Sequence, residues 1–328
     1  MNRRGNSDIL YDITAFGEIL IDFTAQGVNG DGAAVYARNP GGAPANVAVA
    51  GRRLGLRTAF LGKAGSDMHG RFLKDVLERE RVNADGLILD ENFFTTLAFV
   101  EIGADGERVF SFARKPGADT QIRREELDAA VLDHTRILHV GSLSLTDQPA
   151  RDTAFYAVQR AKRMGSVISY DPNYRASLWK NEETARKHMR SLIPYVDLMK
   201  ISDEETETLT DRADVREAAR ELCRQGVKAV AVTMGGAGAY VCCRDGGRLV
   251  SGFKPVRMGD TNGAGDSFWG GFLYKLSGFS ESLDRLSVER LAECAKFGNA
   301  AASLCVEKKG AIPAMPGREQ TERRLQGR

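Results

Sequence analysis

Four short apolar runs follow one another along the middle of the chain: RILHVG (136–141), SVISYD (166–171), DLMKIS (197–202) and KAVAVT (228–233). Segments with helical patterns separate them, at 149–164, near 182–192 and within 203–225. Short, nearly continuous apolar strands that alternate with helices indicate βαβ units and a parallel sheet covered by helices. This part of the chain therefore predicts an α/β fold.

The ends of these runs are rich in polar residues and glycine. They carry Asp171, Asn173 and Arg175, then Ser202 and Glu205, and finally Thr233 and Gly235. Ligands of open α/β sheets bind outside the carboxyl ends of the strands, so we expect the binding site at this edge. The glycines at 235–238 do not complete G-x-G-x-x-G, and we interpret them as a tight hairpin before the apolar run at 239–242.

The N-terminal part continues the pattern, with strands predicted at 12–17 and 19–23. Pro40 and the two glycines after it predict a turn. Pro44 then fits the first turn of a helix that Gly55 ends. A strand over 57–65 and a helix over 70–80 follow. Helices at 264–278 and 287–306 complete the body, and we expect the polar tail from Pro316 onward to be mobile.

Residues 87–114 have a different character. Two alternating segments, at 95–102 and 108–112, flank Ala104-Asp105-Gly106-Glu107. An Asp-Gly pair between alternating segments is a strong hairpin signal. No helix separates these strands, so we expect an antiparallel sheet that stands off the main one. A small sheet of this kind is suited to cover a site.

The second informative stretch is Gly259-Asp260-Thr261-Asn262-Gly263-Ala264-Gly265-Asp266, which opens onto an apolar helix. A glycine turn before a helix leaves the first N–H groups of the helix unpaired, and the helix dipole favours an anion there. A carboxylate beside an anion site suits phosphoryl transfer, where a hydroxyl must be aimed and lose its proton. A helix start with Asp266 as a simple cap is the structural alternative.

Composition restricts the class of protein. The chain has 328 residues, a formal net charge of +2, 42% hydrophobic and 27% charged residues, as expected of a globular protein. The small net charge argues against a nucleic-acid surface, and the N-terminus lacks an apolar run long enough for a signal peptide or a membrane span. Five cysteines without C-x-x-C spacing predict reduced thiols in a cytoplasmic protein.

Other common site motifs are missing. The chain has no G-x-x-x-x-G-K-[ST] and no set of protein-kinase motifs. Its four histidines lack the spacing of metal ligands. A dinucleotide-dependent oxidoreductase is disfavoured because G-x-G-x-x-G and a ribose-binding acid are both missing.

The stretch from Gly259 to Gly271 resembles the C-terminal signature of the ribokinase-like (PfkB) family of sugar kinases, whose core is D-T-x-G-A-G-D. Residues 40–46 and 62–67 resemble the N-terminal signature of that family. Residues 17–23, 171–175 with 178–179, 200–205 and 309–316 resemble its fructokinase branch. The resemblance is collinear from about residue 12 to residue 316.

This resemblance implies roles for particular residues. Asp266 matches the catalytic base, and the backbone amides of Gly263, Ala264, Gly265 and Asp266 match the anion hole. Asp22, Gly41, Gly42 and Asn46 match positions that hold sugar hydroxyls, although the local pattern alone favours a solvent-facing Asp22. Arg175 matches a position near the sugar and the transferred phosphate.

The resemblance also implies a nucleotide site and two cation sites. Ser202, Thr233, Gly235, Gly238 and Asn299 match the nucleotide-binding positions, with Asn299 beside the adenine. Many members carry Asn where this chain has the shorter Ser202. Glu205 matches the carboxylate that reaches Mg²⁺ through water, while Asp260 and Thr261 begin a loop that binds a monovalent cation such as K⁺ in many members. Glu307, where a small hydroxyl residue is frequent, would strengthen that cation site or pair with a lysine.

Together these matches imply a ribokinase-like three-layer α/β/α sandwich with a mostly parallel sheet. Residues 1–328 would form a single kinase domain with a small β-sheet lid from about 18–38 and 92–114 and a polar tail at 317–328. The implied activity is ATP-dependent phosphorylation of a primary hydroxyl on a small free sugar, with fructose to fructose 6-phosphate as the leading reaction.

Alternatives within the family are a 2-keto-3-deoxygluconate kinase, a nucleoside-type kinase, or a kinase of a phosphorylated sugar anchored by Arg108, Arg114 or Arg175. Outside enzymes, a non-catalytic sugar-binding regulator is the alternative, and the intact stretch 263–266 argues against it. The expected partners are the sugar and ATP, with no nucleic acid and no membrane. A second copy of the chain is a further expected partner, because Phe94, Leu97, Phe99, Phe110 and Phe112 must bury one face of the lid sheet.

Overall fold

The computed structural model describes residues 9–102 and 108–327. Within these ranges, thirteen strands form two sheets. The strands are β1 (Tyr11–Phe16), β2 (Leu20–Val28), β3 (Ala34–Gly41), β4 (Thr58–Gly65), β5 (Leu87–Asp90), β6 (Leu97–Ile102), β7 (Arg108–Ala113), β8 (Thr135–Gly141), β9 (Val167–Asp171), β10 (Leu198–Ser202), β11 (Ala229–Thr233), β12 (Gly238–Cys243) and β13 (Gly246–Ser251).

Ten α-helices lie within the same ranges. They are α1 (Ala43–Leu54), α2 (Met68–Arg79), α3 (Ala129–Asp133), α4 (Ala150–Arg163), α5 (Glu182–Leu192), α6 (Thr206–Thr210), α7 (Val215–Arg224), α8 (Ala264–Ser277), α9 (Val288–Cys305) and α10 (Arg318–Leu325). In the described part of the chain, no helix is long and apolar enough to cross a membrane.

The large sheet has nine strands in the order β13-β12-β11-β10-β9-β8-β1-β4-β5. The strands from β11 to β5 in this order pair in parallel, and only β12 and β13 pair antiparallel at one edge. The predicted mostly parallel α/β sheet is therefore confirmed. The hairpin predicted from the glycines at 235–238 is confirmed as well, because β11 and β12 pair antiparallel across them.

Helices cover both faces of this sheet and make a three-layer sandwich. One core lies between the sheet and α3, α4, α5 and α7, and the other faces α1, α2, α8 and α9. Alternation along β12 sends Cys242 into the first core and Cys243 into the second. Both faces of the central parallel sheet are buried, which explains why the sequences of its strands are almost entirely apolar.

A second sheet of four strands, in the order β3-β2-β6-β7, stands apart from the large sheet and is called the small sheet below. Its outer pairs are antiparallel, as predicted for β6 and β7, but β2 and β6 pair in parallel. The predicted hairpin turn at 104–107 lies outside the described residues. The predicted turn at Pro40 is displaced, because Pro40 and Gly41 belong to β3 and the chain turns at Gly42, which has a φ of 108°.

The expectation that five apolar side chains share one face of the small sheet is wrong. The pairing places Phe110 and Phe112 opposite Val100 and Ala98, whereas Leu97 and Phe99 point the other way. Phe99 stacks on Phe23, whose ring meets that of His69 in α2. Phe94 precedes the sheet and is 79% exposed.

Four chain segments connect the small sheet to the body, and a buried polar cluster joins them. Arg114 after β7 pairs with Asp119 at 2.7 Å and donates to the carbonyl of Leu143 at 2.9 Å. Thr96 before β6 donates to the same carboxylate. Glu18, between β1 and β2, accepts the backbone N–H of Ala43 at 3.1 Å after β3.

The C-terminal tail also differs from the expectation. Residues 318–325 form α10, which packs on α9 and buries Thr321 completely. Arg324 donates to Glu307 at 2.8 Å and to Ser303 at 3.0 Å. One buried side chain and a few polar contacts attach this helix to α9 and the residues after it, so its sequence can remain polar.

Candidate active site

The glycine-rich loop ends where α8 begins, at the position predicted for an anion site. Gly263 is the N-cap residue with a φ of 77°, a left-handed conformation that favours glycine. A Cβ on it would also lie 2.8 Å from that of Ala311. Among the described residues no side chain caps this helix, and the N–H of Ala264 donates to the carbonyl of Thr261 at 3.3 Å. The N–H groups of Gly265 and Asp266 are left for water or an anionic ligand.

Asp266 lies in the first turn of α8 and is buried. Its Oδ2 accepts a hydrogen bond from Asn46 Nδ2 of α1 at 2.7 Å. The two helices approach closely because Gly270 faces Ala50, where a Cβ would lie 2.5 Å from the alanine methyl group. Asp266 is therefore not the cap of its helix, and its carboxylate is held towards α1.

The environment of Asp266 makes its carboxyl group an unusually weak acid. Burial and the nearby charge of Asp171 raise its pKa to about 6, although Lys200, the hydrogen bond from Asn46 and Arg175 act in the opposite direction. A carboxylate with a pKa near the working pH is well matched to accept a proton from a hydroxyl.

Asp22 reaches the same region from the small sheet. It is 7% exposed, and its Oδ2 accepts a hydrogen bond from Asn262 of the glycine-rich loop at 3.2 Å. Any side chain on Gly41 of the neighbouring strand β3 would collide with this carboxylate. Gly42 follows with a positive φ, a conformation that residues other than glycine rarely adopt. A Cβ on Gly42 would also lie 2.4 Å from the carbonyl oxygen of Glu18. The two glycines therefore allow the end of β3 to pass close to Asp22 and to the segment between β1 and β2.

Arg175 lies between the small sheet and Asp266. Its guanidinium carbon is 5.5 Å from the ring centroid of Phe110, and its charge contributes to the environment of Asp266. It also donates to the carbonyl of Tyr174 at 2.9 Å. The structure thus brings Asp22, Asn46, Arg175 and Asp266 to one place, at the carboxyl ends of the strands.

Glu205 follows β10 and is buried. Its two oxygens accept the backbone N–H groups of Tyr174 at 2.6 Å and of Ser202 at 2.8 Å. A carboxylate offers about four acceptor positions, so capacity for a water molecule remains. In the described residues no group of three or more His, Cys, Asp or Glu side chains could hold a metal by itself. This donor set fits Mg²⁺, which keeps several waters and is held largely by substrate phosphates.

The residues matched to the nucleotide site lie on two neighbouring parts of the fold. Ser202 and Thr233 pair across β10 and β11, and Thr233 Oγ1 donates to the carbonyl of Ile201 at 3.2 Å. Gly235 and Gly238 both have a positive φ in the following turn. Asn299 of α9 is directed to β13, where its amide donates to the carbonyls of residues 250 and 251.

The loop matched to a monovalent cation is tied to the C-terminal part of the chain. Asp260 accepts the N–H groups of Asn262 at 2.8 Å and of Gly310 at 3.1 Å, whereas Thr261 is exposed. Glu307 pairs with Arg324 rather than with a lysine, and it also accepts the N–H of Val256 at 2.7 Å.

Two buried residues at the site were given no role from the sequence: Lys200 was not considered, and Asp171 was named only as a polar residue at the ligand-binding edge. Lys200 of β10 donates to Asp171 of β9 at 2.9 Å, and both act electrostatically on Asp266. A lysine between Met199 and Ile201 in an apolar strand was the available signal. Charged side chains are rarely buried unless they are paired.

Comparison with known proteins agrees with this geometry. The family described as "pfkB family carbohydrate kinase" matches residues 11–318. Fructokinase-1 of Zea mays is 40% identical over 307 residues, which cover 93% of this chain and 94% of that protein.

Two solved structures show the same similarity. The fructokinase of Xylella fastidiosa with bound ATP has a TM-score of 0.90 and 34% identity, covering 97% of this chain and 99% of that one. A double mutant of the fructokinase of Vibrio cholerae O395, with fructose, ADP and a potassium ion bound, has a TM-score of 0.85 and 31% identity, covering 98% and 100%.

Proposed function

The chain belongs to the pfkB family of carbohydrate kinases, and we propose that it transfers the γ-phosphoryl group of ATP to the primary hydroxyl of fructose, which yields fructose 6-phosphate. One observation carries this proposal. A buried carboxylate, Asp266, is held by Asn46 in the first turn of an uncapped helix at the ligand-binding edge of the sheet. Proton acceptor and anion site are thereby adjacent.

Asp266 acts as the general base in this proposal. Above its pKa of about 6 it is ionised and accepts the proton of the attacking hydroxyl. The hydrogen bond from Asn46 fixes one carboxylate oxygen, which leaves the other oriented for the sugar.

The start of α8 stabilises the phosphoryl group during transfer. The amides of Gly263, Ala264, Gly265 and Asp266 form the anion hole, and the helix dipole favours the charge that gathers there. Because these donors belong to the backbone of a rigid helix, they need little reorganisation when the reaction occurs.

The sugar is bound between the small sheet and α1. Asp22 and Asn46 hold its hydroxyls, Gly41 and Gly42 allow close approach of the backbone, and Arg175 lies near the transferred phosphate. Arg114 is not available as an anchor for a phosphorylated sugar, because its guanidinium is buried and engaged with Asp119 and Leu143. The side chain of Arg108 lies outside the described part of the chain.

ATP is held by Ser202, Thr233, Gly235, Gly238 and Asn299 in this proposal. Mg²⁺ is the metal, reached by Glu205 through water, and when bound it neutralises charge on the ATP phosphates. K⁺ occupies the loop of Asp260 and Thr261, an assignment supported by the potassium ion bound to the Vibrio cholerae relative. The five free cysteines are consistent with a reducing compartment, and we place the enzyme in the cytoplasm.

The test is an ADP-release assay with fructose, ribose, 2-keto-3-deoxygluconate, nucleosides and sugar phosphates, each with and without K⁺. We expect the highest kcat/KM with fructose and a higher rate with K⁺. Preference for another acceptor would reassign the substrate, and absence of turnover with every sugar would favour a sugar-binding regulator.

A further inference from the structure

Lys200 and Asp171 form a buried ion pair beside the proposed base. They lie one step beyond the paired residues Met199 and Tyr170, at the carboxyl ends of β10 and β9. Lys200 Nζ donates to Asp171 Oδ2 at 2.9 Å, and the side chains are only 7% and 1% exposed.

The ammonium group also lies against the start of α8. A Cβ on Gly265 would be 3.0 Å from Lys200 Nζ, so the lysine approaches the backbone of the anion hole as closely as a glycine permits. Lys200 therefore contacts Asp171 on one side and the helix turn that carries Asp266 on the other.

Stability alone gives little reason for such a pair. Moving both charges out of water costs several kcal/mol per ion, and well-packed apolar residues of similar volume are often as stable. The position of the pair beside a buried carboxylate offers a functional reason.

We propose that Lys200 is a positioning residue that keeps Asp266 ionised, and that Asp171 holds the Lys200 ammonium in place. This inference rests on the proposed function of Asp266 as the base. It adds that the positive charge of Lys200 offsets the repulsion between the buried carboxylates of Asp171 and Asp266.

The charged and titratable groups around Asp266 support this arrangement. They are Asp171 from β9, Lys200 from β10, Arg175 from the segment after β9 and the Cys305 thiol from α9, with neutral Asn46 from α1. Lys200 in turn faces Glu205 and His139 of β8. Burial raises the pKa of Cys305 to about 12 and lowers the pKa of His139 to about 3, so both are neutral near pH 7.

The charges of Asp171 and Glu205 raise the pKa of Lys200 despite its burial, so the ammonium form persists. Among the groups that stabilise the Asp266 carboxylate, Lys200 is the leading one, and Asp171 is the leading charge against it. Removal of the Lys200 charge should therefore raise the pKa of Asp266, whereas removal of the Asp171 charge should lower it.

The experiment measures kcat/KM for fructose against pH at saturating ATP, with ADP quantified by chromatography in stopped samples. Because the base works only when ionised, the rate falls about tenfold per pH unit below the controlling pKa. We expect Lys200→Met to move this acid limb about one pH unit higher, Asp171→Asn to move it lower, and the double variant to lie between them.

Lys63→Met is the matched control. Lys63 is also a buried lysine in a strand, paired with Asp90 at 2.8 Å and Glu126 at 2.6 Å, but it belongs to β4 and lies outside the proposed site. Its removal should lower thermal stability and leave the acid limb in place. If Lys200→Met does not fold, Lys200→Gln, which keeps an N–H donor for Asp171 but removes the charge, carries the test with the same upward shift.

The outcomes separate this inference from the proposed function. Unmoved acid limbs in both single variants, with Asp266→Asn inactive, would overturn the role of Lys200 and keep the base. Normal turnover by Asp266→Asn would instead overturn the proposed base and everything built on it.

Discussion

At the scale of single residues, Asp266 illustrates how burial and one hydrogen bond act together. Burial destabilises its charged form, whereas the Asn46 amide stabilises it and fixes its orientation. Replacement with Asn keeps the volume and an oxygen that accepts from Asn46, but it removes the proton acceptor.

Asp266→Asn is therefore expected to lower kcat by a factor of about 10² to 10⁴, the usual contribution of a general base. Binding of ATP, measured by calorimetry, should stay close to that of the unchanged protein. Near-normal turnover in a folded variant would contradict the role of Asp266.

Asp22→Ala tests the sugar site. Hydrogen bonds to a charged group contribute about 1.5–3 kcal/mol, so the KM for fructose should rise roughly tenfold to a hundredfold. The KM for ATP is the internal control and should change little, because Asp22 lies on the small sheet. An equal rise in both constants would count against a specific contact with the sugar.

At the scale of elements, α10 connects the C-terminal end of the chain to the loop before α8. Arg324 and Glu307 are 14% and 16% exposed, and Glu307 also fixes the backbone at Val256. The helix therefore supports the segment that leads to Asp260 and the anion site.

Arg324→Ala is expected to destabilise the protein by about 1–3 kcal/mol, because it leaves a largely buried carboxylate without its partner. The Tm should fall by a few degrees, measured by scanning calorimetry. Arg318→Ala is the matched control, since Arg318 is exposed and pairs with Glu322 within the same helix. Equal Tm values for the two variants would show that the Arg324 pair contributes nothing.

The sequence predicted most elements because their signals are local. Pro44 and Gly55 mark the two ends of α1, and apolar runs mark the parallel strands. The helix α10 was missed because its sequence is polar and only Thr321 is fully buried. Phe99 and Phe110 point to opposite faces because of the register in which β6 and β7 pair, and this register could not be predicted from the local sequence.

The candidate site was predicted in the same uneven way. Asp266 follows a recognisable glycine turn, so its position in the first turn of a helix was visible in advance. Lys200 and Asp171 are 29 residues apart, and they meet only because β9 and β10 become neighbours. Contacts that depend on strand order cannot be read from spacing along the chain.

At the scale of the whole molecule, the polar cluster between the two sheets contains a carboxyl group that is costly to ionise. Burial and the charge of Asp119 raise the pKa of Glu18 to about 8, although Arg114 acts in the opposite direction. Its Oε2 has no hydrogen-bond partner in the described part of the chain, so no donor at that atom stabilises the charged form.

Glu18 should therefore make stability depend on pH. Its pKa is higher in the folded state than its ordinary value of 4.5, so its contribution to stability is fully present below pH 4.5 and is lost as pH rises through about 8. The loss is at most about 1.4 kcal/mol per pH unit. In Glu18→Gln the free energy of unfolding, measured with urea, should depend less on pH between 4.5 and about 8 than in the unchanged protein. An equal pH dependence in the two proteins would refute a neutral Glu18.

The small sheet is also where we propose that two copies of the chain meet. Val28 and Val109, at the ends of β2 and β7, are 71% and 56% exposed. Association of two copies through this sheet would remove these apolar side chains from water. Light scattering at micromolar concentration should give twice the mass of the chain, and a monomer would contradict the proposal.

The hydrogen bond between Asn46 and Asp266 joins positions that are 220 residues apart, and the bond between Asp22 and Asn262 joins positions that are 240 apart. During synthesis the residues proposed to bind the sugar leave the ribosome long before the proposed base. A nascent or truncated chain that ends before α8 lacks both the proposed base and the proposed anion hole. Such long-range contacts can form only after the glycine-rich loop and the start of α8 have been synthesised, so binding of a ligand that needs both parts of the site requires a chain made at least as far as Asp266.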